Sequence, residues 1–106
     1  GMKKRVSLAR AIAFEPEIIF YDEPSSGLDP IMSGKIDELI IHTQQTLKVT
    51  SVVVTHDMVS ACRIADRIAM IYDGSLIAVD TVERFKQIKD DRVQAFFHSL
   101  RTIKEE

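Results

Sequence analysis

The sequence predicts an α/β layered fold with parallel strands, followed by a β-hairpin and terminal helices. Three observations carry this. Ile18-Ile19-Phe20-Tyr21 and the β-branched run in "TSVVVTHD" (50 to 57) are short apolar stretches with little polar alternation, the pattern of strands covered on both faces. Between them, apolar side chains recur at helical spacing, so strand, helix and strand form a unit whose strands run parallel. Further on, Asp73-Gly74 lies between two more strand-like runs and is the strongest short hairpin signal in the chain.

The elements follow in order. In "KKRVSLARAIAF" (3 to 14), Val6, Ala9, Ile12 and Ala13 stand three, four and seven apart, which is an amphipathic helix ended by Glu15-Pro16. The strand from Ile18 to Tyr21 runs into Asp22 and Glu23, and Pro24 stops it. Ser25, Ser26 and Gly27 open a turn, and Asp29-Pro30 supplies an N-cap and a proline for the first helical position. That helix carries Ile36, Leu39, Ile40, Thr43 and Leu47 on one face and runs to about Leu47. Asp57 caps a short helix through Met58, Cys62 and Ala65, and residues 67 to 80 form the hairpin. From Thr81 the chain is helical in character, first through Val82, Phe85 and Ile88, then through Val93, Phe96, Phe97 and Leu100. The tail's apolar side chains call for a cover, either the chain's own core or a second subunit. The whole reads as a single domain, 1–106, divided into 1–80, from the first helix to the hairpin, and a helical tail, 81–106.

Composition narrows the function. The chain has 106 residues, 45% of them apolar and 28% charged, which are ordinary globular values for one modest core. Lys and Arg number 14 against 16 Asp and Glu, and the net charge of -2 argues against a nucleic-acid-coating surface. Lys3-Lys4-Arg5 reads as a solvated first helical turn. The lone Cys62 excludes an intramolecular disulfide and reads as a structural thiol in a reducing compartment. No apolar run approaches a membrane span and no signal peptide is visible, so the expectation is a soluble, cytoplasmic chain. Gly1-Met2 enters the helical pattern at once, which implies that the helix's natural lead-in is absent from the chain.

In open parallel sheets, ligands bind beyond the carboxyl ends of the strands. Asp22 and Glu23 leave the first strand there, and His56 leaves the second. If the strands are neighbours, two acids and an imidazole share one rim, which suits metal-assisted phosphoryl transfer. Asp22 would hold Mg²⁺, a hard ion that prefers oxygen ligands and keeps several waters. Glu23 could take the proton of an attacking water, and His56 could sense or stabilise the transferred phosphoryl group. Each feature also has a plain reading. An Asp-Glu pair after an apolar run is usually a solvated strand end, Thr-His-Asp before a helix is a capping turn, and Arg5 and Arg10 are helix-surface charges. Order and spacing decide between them.

In that order, "GMKKRVSLARAIAFEPEIIFYDEPSSGLDPIMSGKIDELI" closely resembles the second half of an ABC-transporter nucleotide-binding domain, and the likeness extends through about residue 80. Gly1 matches the last glycine of the family's Leu-Ser-Gly-Gly signature, and "KRVSLARAI" looks like the helix after it. "IIFYDE" resembles the Walker B strand, "SSGLD" the D-loop, and "VVVTHD" the strand leading to the switch histidine. The resemblance implies a partial P-loop-NTPase-like fold and an ATPase using ATP and Mg²⁺. It makes Asp22 the Mg²⁺-water ligand, Glu23 the general base and His56 the γ-phosphate contact. Gly1 would bind the nucleotide, and Asp29 would be the D-loop acid facing a second ATPase subunit. Met2-Lys3-Lys4-Arg5-Val6, "GLDPIMSG" and "ADRIAMIYDG" look most like the phospholipid-trafficking, toluene-tolerance (Mla-type) branch. That likeness implies an integral membrane permease partner and a position on the cytoplasmic face of a bacterial inner membrane.

One motif of the family is not in the sequence. Gly34-Lys35 is the only Gly-Lys pair, but Ile36 follows it and Asp29 stands where the first glycine of G-x-x-x-x-G-K-[ST] belongs. The chain alone is therefore expected to be inactive. A non-catalytic interaction module, and a soluble ABC-type ATPase of translation or DNA repair, are the rival readings. The family's strand order puts the absent phosphate-loop strand between "SVVVT" and "RIAMIY". The chain would relieve the exposed edges by pairing 51–55 with 67–72 or by forming a homo-oligomer, with a self-associated, swapped homodimer favoured over a monomer.

Overall fold

The computed structural model describes residues 17–97, which fall into two compact units that divide between His56 and Asp57. The helix read over 3–14, Gly1 and Leu100 lie outside the described residues.

In the first unit, Ile18–Asp22 (β1) and Thr50–Val54 (β2) pair in parallel, joined by the 18-residue helix Pro30–Leu47 (α1). The register sets Ile18 beside Thr50, Phe20 beside Val52 and Asp22 beside Val54, so both strands end at one level. The start of α1 is the one its sequence announces. The Asp29 carboxylate accepts the Met32 amide at 2.8 Å, and Pro30 follows the cap. Its end is less conventional, because Lys48 occupies the left-handed region (φ 54°) while its amide donates to Gln44 O at 3.0 Å.

Ile19 and Tyr21 are buried on the sheet, as are Ile36, Ile40 and Thr43 on α1. Ser51, the register partner of Ile19, donates to Gln44 Oε1 at 2.6 Å and ties α1 to that face. The Tyr21 hydroxyl is buried there without a well-formed hydrogen bond. Burial pushes its phenol above the ordinary value, and the nearby Ser51 side chain offsets this only in part.

The other face corrects the sequence reading. Ile18, Phe20, Val52 and Val54 are exposed, Phe20 by 72%, so neither strand is covered on both sides among the described residues. The pleat sends alternate side chains to opposite faces, and α1 occupies only one of them. Within α1, Leu39 is half-buried and Leu47 exposed, whereas Asp37, which the apolar pattern passes over, is 1% exposed.

The second unit begins with Met58–Ile64 (α2). Asp57 caps it, accepting the amides of Val59 at 3.0 Å and Ser60 at 3.2 Å. Arg67–Tyr72 (β3) and Ser75–Thr81 (β4) form the predicted antiparallel hairpin, with a register shift at Met70/Ile71. Both turn residues, Asp73 (φ 50°) and Gly74 (φ 78°), are left-handed, as a two-residue type I′ turn demands. The sheets are therefore two separate pairs, β1–β2 and β3–β4, and residues 67–72 pair with β4 rather than with 51–55. Val82–Phe85 (α3) and the helical residues 91–97 complete the unit.

The core of this unit gathers Ile68 and Met70 with Phe85 and Val93. Phe97 meets Phe85 edge to face, centroids 6.1 Å apart, so these tail side chains dock on their own unit's core while Phe96 stays partly exposed. Cys62 is half-buried against the same cluster, as a structural thiol would be.

Asp90 caps the helical residues 91–97, accepting the Arg92 amide at 2.8 Å, and its two oxygens also take the Arg92 side chain at 3.0 and 2.7 Å. That guanidinium holds the Asp90 carboxyl down at about 2, below the 3.8 of a free aspartate. The lowered folded-state value means that the stabilisation is complete above the unfolded value and disappears as pH falls through the folded one. Chemical denaturation of the chain and of its Asp90→Asn variant should therefore show a constant gap above about pH 5 that closes between about pH 4 and pH 2. A gap independent of pH over that range would contradict the assignment.

Candidate functional site

The rim where β1 and β2 end holds the candidate site. Because Asp22 and Val54 are register partners, the residues after them leave the sheet side by side. One hydrogen bond fixes this exit, the Glu23 amide donating to the Val54 carbonyl at 2.7 Å. Glu23 itself is left-handed (φ 47°), a conformation that costs an L-residue roughly 1–2 kcal/mol. The chain then turns tightly, with Ser26 N bonded to Glu23 O and Leu28 N to Ser25 O, both at 3.1 Å. Gly27 (φ 77°) supplies the positive φ that this turn needs.

This backbone brings the two catalytic candidates together. Glu23 Oε1 lies 2.9 Å from His56 Nδ1, with the imidazole side chain 79% exposed and the carboxylate 33%. With a proton on Nδ1 the ring donates to the carboxylate, and a second proton on Nε2 makes the contact an ion pair. A contact this open to solvent contributes little to stability. Its value is positional, since it holds an acceptor carboxylate and an imidazole together at one strand exit.

Asp22 is exposed at the end of β1. Among the described residues no cluster of three or more His, Cys, Asp or Glu side chains forms a closed metal cage. A partly hydrated Mg²⁺, held by one or two carboxylates and completed by water and substrate phosphates, fits this donor set. Asp29, at the far side of the turn, is exposed and committed through Oδ1 to capping α1. The expected site residues thus divide. Asp22, Glu23 and His56 share one rim, Asp29 serves the helix that follows, and Gly1 is outside the described residues. The plain reading of "THD" also holds in its proper place, because the next residue, Asp57, is the cap of α2.

Sequence reasoning missed the Val54 carbonyl and the left-handed backbone at Glu23. Neither has a signal in residue type, although Pro24 and Gly27 mark the turn that makes them necessary.

A parallel strand–helix–strand unit with two acids and a histidine at its carboxyl rim defines a partial P-loop-NTPase-like fold, and the chain matches part of the ATP-binding subunits of ABC transporters. It is 45% identical over 96 residues to the intermembrane phospholipid transport system ATP-binding protein MlaF of Haemophilus influenzae, covering 91% of this chain and 36% of that protein. It is 43% identical over 83 residues to the phosphate import ATP-binding protein PstB 2 of Shouchella clausii, covering 78% of this chain and 30% of that one. Among solved structures it is similar to the dimeric, post-hydrolysis state of the ATP-binding cassette MJ0796 bound to ADP and Pi, with a TM-score of 0.66 and 35% identity. That likeness covers 74% of this chain and 34% of the other. The chain spans about a third of the length of each relative. No family model matches it.

Removing the carboxylate isolates the backbone strain. Glu23→Gly should be more stable than Glu23→Ala by about 1 kcal/mol, reversing the usual order, because glycine alone meets no steric penalty at φ 47°. Urea unfolding of the two variants reads this directly, and an alanine variant as stable as the glycine one would deny the strain.

Proposed function

We propose that this chain supplies the hydrolytic rim of an ABC-transporter ATPase subunit, in which ATP hydrolysis drives transport. The observation that carries the reading is the 2.9 Å contact between Glu23 and His56 at the register-matched exits of two parallel strands. In this reading Glu23 accepts a proton from the attacking water, and the turn at residues 24–27 keeps its carboxylate at the rim. His56 uses Nδ1 to orient that carboxylate, and the imidazole meets the transferred phosphoryl group. Asp22 holds Mg²⁺ through oxygen or water, and the ion when bound neutralises charge on the phosphates.

The sequence holds no G-x-x-x-x-G-K-[ST] run, so the amides and lysine that grip the phosphates are assigned to other parts of the intact protein. The chain alone is predicted not to hydrolyse ATP. In this reading Asp29 faces a second ATPase subunit and Gly1 binds the nucleotide. An integral membrane permease is the other partner, with the ATPase on the cytoplasmic face of the inner membrane. Phospholipid is the proposed cargo class, supported by the Mla-type residue pattern and by the match to a phospholipid-system ATPase across 91% of the chain. Among the described residues no helix is long and apolar enough to cross a membrane.

In the intact protein, Glu23→Gln should retain ATP while losing about 10²–10⁴ in turnover. His56→Ala should slow hydrolysis, and both should keep the thermal midpoint, since neither residue is buried in a core. ATPase assay, nucleotide retention and melting measure the three outcomes. Unchanged turnover in Glu23→Gln, or a large loss of stability in either variant, would reduce the pair to a structural feature. Co-purification of the intact protein with a phospholipid-binding permease, rather than with a phosphate importer, tests the cargo assignment.

A further inference from the structure

Period-two alternation forbids some registers of β1 on β2 and permits others. A slip of one residue would turn every β1 side chain to the opposite face, but a slip of two would not. Ile19 and Tyr21 would stay on the face that α1 covers, and the backbone ladder would re-form two residues along. At the rim the change would be large, because Glu23 would move about 6.6 Å along β2, out of reach of His56.

One polar side chain on the covered face tells these registers apart. Ser51 is the register partner of Ile19, so Tyr21, two residues further along β1 on the same face, is its diagonal neighbour. The Tyr21 hydroxyl is buried, with the Ser51 side chain beside it. Ser51 Oγ donates to Gln44 Oε1 at 2.6 Å, which anchors it to α1 and leaves its oxygen able to accept. Two residues before Ser51 is Val49, buried, and two after it is Val53, half-buried. After a slip of two in either direction, the Tyr21 hydroxyl would meet a valine in place of the serine. A buried hydroxyl facing an apolar side chain costs more than one beside an imperfect polar partner.

We propose that Tyr21 is a positioning residue for the rim, its hydroxyl seated against Ser51 so that β1 and β2 keep the one register in which Glu23 reaches His56. The lock acts through the strands alone. The hydrolytic reading of Glu23 and His56 enters only in what the fixed register serves, and the test uses no nucleotide, so either can fail without the other.

Amide hydrogen exchange and urea unfolding of the full chain are the test, in Tyr21→Phe, Ser51→Ala and the double variant. Tyr21→Phe should keep the urea midpoint, since it removes no well-formed hydrogen bond. Its Glu23 amide should nevertheless exchange about tenfold faster, with the α1 amides of Ile36 and Ile40 unchanged. Ser51→Ala should speed Glu23 as much, the double variant no further, and Ser51→Thr, which keeps the hydroxyl, should exchange at the native rate. Unchanged exchange at Glu23 in Tyr21→Phe overturns the lock. An acceleration shared with α1, or an additive double variant, overturns it too, because Tyr21 would then be a packing residue with no hold on the register.

Discussion

The parallel pairing of β1 with β2 sets everything at the rim, and the Glu23 amide bonded to the Val54 carbonyl is its last rung. The rung extends the ladder one residue past Asp22, so the chain cannot leave β1 freely and must turn at Glu23 in the left-handed region. That turn carries the carboxylate to His56, which leaves β2 two residues after Val54. A slip of the register by one residue would turn every side chain of β1 to the opposite face and separate the two groups.

Backbone geometry, and not the side-chain contact, is the stronger constraint. The Glu23–His56 pair is open to solvent on the imidazole side and adds little to stability. The left-handed residue costs more than such a pair returns. The unit tolerates that cost because other parts of it are well determined, by Asp29 capping α1, by Ser51 bonded to Gln44, and by Ile19, Ile36 and Ile40 in its buried layer. Of the three left-handed non-glycine residues described, Glu23, Lys48 and Asp73, Glu23 is the one that stands at the rim.

Much of this was legible in the residues. β1 begins where the apolar run begins, α1 runs from the predicted Pro30 to the predicted Leu47, and the hairpin turns at Asp73-Gly74. These signals are local: a proline, a cap, a glycine, a period. The exposed face of Ile18, Phe20, Val52 and Val54 was not legible, because an apolar run states what a strand can bury and not what arrives to cover it. Asp37 was missed for the opposite reason, since counting apolar positions overlooks a buried charge. The contact of Glu23 with His56 lies in between. Both residues stood out in the sequence, but their meeting depended on two strands 32 residues apart pairing as neighbours in one register.

The rung itself can be observed. A scalar coupling across the hydrogen bond, from the Glu23 amide nitrogen to the Val54 carbonyl carbon, reports that bond and no other in the isotopically labelled chain. The structure predicts a measurable coupling, with slow exchange of the Glu23 amide like that of the β2 ladder. No coupling, together with rapid exchange at Glu23, would mean that the ladder ends at Asp22 and that the carboxylate is not held beside His56.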